Sequence, residues 1–247
     1  MADVKVIHIS SFKPQNIVPS APKRNASGGL RIDLDYKDPS MGNKHYLIQT
    51  PKLRVPFGIN AYDNKDDRPS SYSVSLSFDN YKELTNHECE FVKAVKQIDH
   101  HVKTLALENC ESWFRKKMKK EVLEELYTSS IKESNEYPPT LRVKLPYFSG
   151  KFSCDFYDQN KEKVDEQNVV PKCHVIGLLN LTSIWFVGSK FGVSFQMKQM
   201  QIFAPAKFDG FMISEHKEST SNDGSDRSRS RSPRFNNEEA RDDEEED

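Results

Sequence analysis

Apolar positions in the middle of the chain repeat with a helical period. Phe91, Val95, Ile98, Val102 and Leu105 fall at three- and four-residue steps, which predicts an amphipathic helix. Trp113, Phe114, Met118, Val122, Leu123 and Leu126 predict a second helical stretch, stopped by Tyr137-Pro-Pro. On both sides of this block the period drops to two. HYLIQT, LRVPFGINAY and YSVSLSF precede it, the last alternating through Tyr72, Val74, Leu76 and Phe78. LRVKLPYF, KFSCDFYD, KCHVIGLLNLTSIWFV and KFGVSFQMKQMQIFAP follow it. These are strand patterns. The last two are long and separated by Gly188-Ser189, so a hairpin is expected there. Pro51 and Pro56 mark strand starts, bends or an edge, because proline cannot donate to a ladder. Before Lys44 the pattern is mixed. Val4 to Ile9 alternates enough for one strand, whereas Lys13 to Gly29 is rich in Pro, Ser, Asn and Gly and reads as loop.

Strands, then helices, then strands, with no internal repeat, predict a mainly β fold with a helical insertion, of α+β type. The arrangement suits a small barrel or sandwich. An OB-like barrel with helices on one end and disordered termini accommodates the mid-chain helix. The expected organisation is an N-terminal extension, partly flexible, over residues 1–43 and an OB-like domain over 44–213, its helical insertion at about 86–134. Residues 214–247 form a polar, low-complexity tail expected to be disordered.

Charge changes the picture more than composition does. The formal net charge of the 247 residues is −1. Residues 215–247 nevertheless hold 12 acids and 6 bases, which leaves a basic body and an acidic tail. No stretch is long and apolar enough to predict a membrane span, and the N-terminus lacks the apolar core of a signal peptide. Cys89, Cys110, Cys154 and Cys173 are far apart with no CxxC pair, which favours reduced thiols in an intracellular setting, cytoplasm or nucleus.

Candidate chemistry is sparse. His100 and His101 are adjacent, and adjacent helical residues point about 100° apart. His87-Glu-Cys89 offers two metal ligands without the usual second pair. There is no GxSxG, P-loop or GxGxxG. The expectation is no enzyme, no metal and no cofactor.

Binding has more support, because basic and aromatic residues interleave along the strands. Lys52, Arg54 and Phe57 form one group; Arg142, Lys144, Tyr147, Phe148, Lys151 and Phe152 a second; Trp185, Lys190, Phe191, Phe195 and Lys198 a third. Cations track phosphates and aromatic faces stack on unpaired bases. Ten of these are the candidate contacts: Lys52, Arg54, Phe57, Arg142, Lys144, Tyr147, Lys151, Trp185, Lys190 and Lys198. The clearest case is LRVKLP, where Leu141, Val143 and Leu145 share one face and Arg142 and Lys144 the other. The same parity assigns Phe191 and Phe195 to the core and leaves Trp185, beside the turn, as the stacking candidate. Arg115-Lys-Lys-Met-Lys-Lys120 adds a basic cluster that helical pairing with Glu121, Glu124 and Glu125 partly neutralises.

TPKLRVPFG, YSVSLSF, YPPTLRVKLP and SIWFVGSKFGVSFQMKQM together resemble a family encoded by large nucleocytoplasmic DNA viruses. It is similar to phage single-stranded DNA-binding proteins that join an OB-fold to an acidic C-terminal tail. The resemblance spans roughly residues 44–213. It implies a non-catalytic, sequence-tolerant protein of viral DNA replication, recombination or repair. The implied partner is single-stranded DNA, with replication proteins recruited through the tail, no membrane, and room for a homo-oligomer. The tail departs from the phage pattern: its last aromatic, Phe235, lies twelve residues from the end. Its acids are expected to compete with DNA for the basic groove as a tethered phosphate mimic. The Arg-Ser run from Arg227 to Arg234 leaves room for phosphorylation at Ser232-Pro233 or for RNA contact. The alternative functions are a structural or virion-associated protein-interaction module and an RNA-binding protein.

Overall fold

The computed structural model describes residues 4–24, 29–38, 45–62, 71–79, 81–205 and Ile213. The chain divides into two units, Met1–Ala206 and Lys207–Asp247. Ile213 is the one described residue of the second, so the expected disorder of 214–247 and the behaviour of the acidic tail lie outside the described residues.

Five strands close into a ring: β1 (Leu53–Val55), β2 (Ser71–Ser77), β3 (Thr140–Leu145), β4 (Cys173–Val187) and β5 (Lys190–Phe203). The order around the ring is β1, β2, β3, β5, β4 and back to β1. Each step is antiparallel except the parallel pairing of β3 with β5, where Val143 lies opposite Phe195. This is a closed OB-like barrel, mainly β with a helical insertion between β2 and β3. The alternation that predicted the strands decides their faces. Val74, Leu76, Leu141, Val143, Val175, Leu179, Phe195 and Met197 are buried, and Phe191 is buried with them.

The two long strands of the hairpin do not keep a uniform register. Shifts between Leu178 and Leu179 and between Leu181 and Ser183 leave Lys198 and Thr182 as bulged residues, which tightens the local twist. The outer edge of β4 is extended by strands from the N-terminal region. Ile48 and Gln49, in the strand His45–Gln49, pair with Leu179 and Leu178. Arg31 to Asp33, in the strand Leu30–Tyr36, pair with Trp185 to Ser183. Val4–Ile7 adds a parallel edge beside His45–Gln49.

The strand Leu30–Tyr36 corrects the reading of the first 42 residues as mixed and of Lys13 to Gly29 as loop. Ile32 and Leu34 alternate into the core. Their strand gives Ile17–Pro19 and Lys23–Arg24 a ladder to join. Turn-rich composition yielded here to a partner strand that satisfies the backbone.

The helical insertion begins with α1 (Asn86–Glu108), started by a capping box in which Thr85 and Glu88 satisfy each other's backbone N–H groups. The expected stripe is buried, and Asp99 is buried within it. Its carboxylate accepts from Tyr127 Oη at 2.7 Å, Ser129 Oγ at 3.1 Å and Ser130 N at 2.9 Å. That fixes residues 127–130 against the barrel, where Thr128 N donates to Phe191 O at 2.8 Å. The second helical stretch is two short helices, α2 (Cys110–Phe114) and α3 (Lys120–Leu126). Arg115 ends α2 in the left-handed region at φ 58°, so the basic run lies largely in the break between helices. Five neighbouring cations repel one another along a continuous helix.

Candidate nucleic-acid interface

The ten residues singled out by sequence fall into separate environments. Arg142 and Lys144 are exposed on the outer face of β3, as their parity requires. Arg142 lies opposite Ser75, and Lys144 opposite both Ser73 and Gln196. Arg142 Nε donates to Ser73 Oγ at 3.1 Å, which aligns the guanidinium along the sheet and leaves its other donors open. No acid forms an ion pair with either cation among the described residues. Lys144 is crowded by surrounding protein. Burial, followed by repulsion from Arg31 and Arg142, holds its ammonium below the ordinary lysine range. Three cations therefore act on one patch, two of them without an acid partner among the described residues and the third, Arg31, ion-paired with Asp33 at 2.7 Å. Arg31 came from the region read as mixed, and the alternation of Ile32 and Leu34 around it was the signal that could have found it.

Beyond Pro146 the same strand direction continues into a small hairpin, Tyr147–Phe148 with Lys151–Phe152. Ser149 at φ 50° and Gly150 at φ 81° form its two-residue turn, the left-handed pair that matches strand twist. Tyr147 packs on Tyr72 and Phe152, with ring centroids 4.7 and 4.9 Å away. Phe148, outside the ten, is 78% exposed. Lys151 is exposed opposite it. Cations and open aromatic faces thus follow one another along a single strand and its hairpin.

Four of the other candidates, Arg54, Lys52, Lys190 and Trp185, are engaged elsewhere. Arg54 is ion-paired with Asp79, which also accepts from Ser77 Oγ at 2.7 Å. Burial opposes ionisation of Asp79, but those hydrogen bonds and the Arg54 charge outweigh it and hold the carboxyl below its ordinary range. Lys52 Nζ stands 4.1 Å from the centroid of the Phe203 ring, a cation–π contact. Phe57 is 67% exposed, beside a turn that needs Gly58: φ is +70°, and an added Cβ would meet Val169 O at 3.0 Å. Lys190 Nζ donates to Glu125 O at 2.7 Å, near the C-terminus of α3. Trp185 donates from Nε1 to Val193 O at 3.2 Å and covers Gly192. Lys198, bulged from the ladder, is half-buried. The cysteines are free thiols. Burial pushes Cys154 up to about 12 and Cys173 up to about 11, so neither holds a thiolate at neutral pH.

A family described as a family of unknown function (DUF5871) matches residues 74–213, over half of the chain. The chain belongs to that family. The DUF5871 match begins within β2 and takes in α1, β3, the small hairpin, β4 and β5. An uncharacterized protein of Acanthamoeba polyphaga mimivirus is 26% identical over 163 residues, which cover 64% of this chain and 26% of that protein. The chain thus spans about a quarter of that relative's length. Among solved structures, the single-stranded DNA-binding protein of bacteriophage Enc34 in complex with single-stranded DNA gives a TM-score of 0.42 at 11% identity. It covers 77% of this chain and 98% of its own. The single-stranded DNA-binding protein encoded by bacteriophage T7 gives a TM-score of 0.42 at 14% identity, covering 67% and 90%. Among the described residues no helix is long and apolar enough to cross a membrane.

Proposed function

We propose that this protein binds single-stranded DNA across the outer face of β3 and its hairpin, in viral DNA replication, recombination or repair. One observation carries the reading. Arg142 and Lys144 form no ion pair among the described residues, sit within the influence of Arg31, and lead directly to the partly covered ring of Tyr147 and the open ring of Phe148. Phosphates would take the cations, offsetting the repulsion that adds to burial in depressing Lys144, and release counterions in doing so. Unpaired bases would stack on the rings, a contact that tolerates any sequence because every base has a π-face. Duplex DNA hides those base faces, so single strands are the better ligand. The acidic tail competes with DNA for the cations and, when displaced, is free to recruit replication proteins.

The test is a titration of the full chain with single-stranded, double-stranded and RNA oligonucleotides of equal length at several salt concentrations. Single strands should bind tightest, with log affinity falling linearly in log salt. Equal affinity for duplex, or no salt dependence, rejects the reading.

A further inference from the structure

A second cavity adjoins the cationic patch and differs from it in chemistry. It occupies about 660 Å³ between the strand Leu30–Tyr36 and the outer faces of β4 and β5, and its walls include Arg31, Asp35, Tyr36, Asn180, Thr182 and Gln196. That volume lies within the range of small-ligand sites. The register brings two amides together. Asn180 lies directly opposite Gln196, and Gln196 directly opposite Lys144. One transverse row of the sheet therefore runs from a cation to a pair of side-chain amides. Directly opposed residues hold their Cβ atoms about 5 Å apart, close enough to engage one planar group together.

Both amides are half-buried, and neither makes a hydrogen bond among the described residues. Beyond the Leu181–Phe195 row and the bulge at Thr182, the next outward-facing row is also polar. Ser183 lies opposite both Ser194 and Asp33. Ser194 Oγ and Asp33 Oδ1 are the buried side-chain oxygens without a hydrogen-bond partner among the described residues. Arg31 Nε stands 2.7 Å from that carboxylate oxygen and Lys23 Nζ 3.1 Å from the other, so Asp33 is already held by two ion pairs. Polar groups inside a protein are normally satisfied, so the two open amides of Asn180 and Gln196 in the cavity wall call for a polar occupant.

We propose that this cavity receives one unpaired nucleobase from the bound strand and reads its edge, favouring bases that carry an exocyclic amine over thymine. This rests on the single-strand reading given above. An amide presents a donor beside an acceptor, which matches the amine and ring nitrogen of adenine, and a carboxylate such as Asp35 accepts from the cytosine amine. Thymine offers two carbonyl acceptors around one N–H. It leaves the acceptors of Asn180, Gln196 and Asp35 short of donors, and unmatched polar groups discriminate more strongly than missing apolar contact. Stacking on Tyr147 and Phe148 stays indifferent to sequence, so selectivity belongs to one nucleotide of the site.

The experiment compares oligo(dA), oligo(dC) and oligo(dT) of equal length binding to the full chain by fluorescence anisotropy. Oligo(dA) and oligo(dC) should bind about tenfold tighter than oligo(dT). Asn180→Ala with Gln196→Ala should bring the ratio to about one while leaving the salt slope unchanged. Gln196→Met, similar in length but without the polar edge or any charge, gives the same reading if the double variant does not fold. Equal or tighter binding of oligo(dT) by the native chain overturns the pocket and leaves the proposed function standing. A ratio that survives both amide variants overturns the assignment to these residues. Failure of every oligonucleotide to bind overturns both proposals.

Discussion

The hairpin end of β4 and β5 and the outer face of β3 carry the same kinds of residue and use them in opposite ways. At the hairpin end Trp185, Lys190 and Phe191 are taken up by contacts within the protein. The indole donates to Val193 O, the ammonium to Glu125 O, and Phe191 is fully buried. Along β3 and its hairpin, Arg142, Lys144, Tyr147 and Phe148 present charge and ring faces to solvent. A basic-aromatic stretch is therefore a binding surface only where the fold leaves its side chains unclaimed.

The largest effect should come from breaking the claimed region. Phe191→Ala removes a ring packed against Phe114, Tyr127 and Phe186 and should cost about 3–5 kcal/mol of folding stability. Chemical denaturation measures it, and single-strand affinity per folded molecule should not change. Breaking the open region should do the reverse. Arg142→Glu with Lys144→Glu should weaken single-strand binding about 100-fold and lower the salt slope by about 2, with an unchanged melting temperature. A folded double variant with native affinity would remove this face from the site. Phe148→Ala should cost about 1–3 kcal/mol of binding with no loss of stability, since the ring is exposed.

Lys144 gives a finer test through pH. Its folded-state pKa is depressed, so the free protein gains stability as pH rises from that value towards the unfolded one. Single-strand affinity should fall across the same interval as the cation is lost. Lys144→Arg, which stays charged, should flatten the affinity profile measured by anisotropy between neutral pH and pH of about 10. The smallest effect is expected from deleting residues 236–247: binding at low salt should tighten about threefold as a competitor for phosphate leaves. Equal or weaker binding by the truncated chain would end the competition idea.

Much of the fold was legible because period reports face. Leu141, Val143 and Leu145 against Arg142 and Lys144 is a pattern that only a half-buried strand satisfies, and the α1 stripe is equally constrained. The strand Leu30–Tyr36 carries the same alternation, but flanking Pro, Ser and Gly masked it and Arg31 was passed over. The site was less legible because partners decide it. Lys190 finds its acceptor 65 positions away in the sequence, and Arg54 meets Asp79 across a strand pairing that no local window contains. Side-chain parity also fails where a bulge shifts the register, as at Lys198.

The ring order has a consequence for how the molecule is made. β5 supplies two closures at once, to β3 and to β4, and it is the last strand of the ring in the chain. During synthesis β1, β2 and β3 leave the ribosome well before the strand that joins them, and contacts of such long range are slow to form. Until Phe203 has emerged, the inner faces of β1 to β4 have no barrel to close into, and unpaired edges of that kind invite aggregation. The hairpin of β4 and β5, local in sequence, is the element able to form first once the chain is complete. A chain stopped short of Phe203 therefore lacks the strand that closes the ring on both sides.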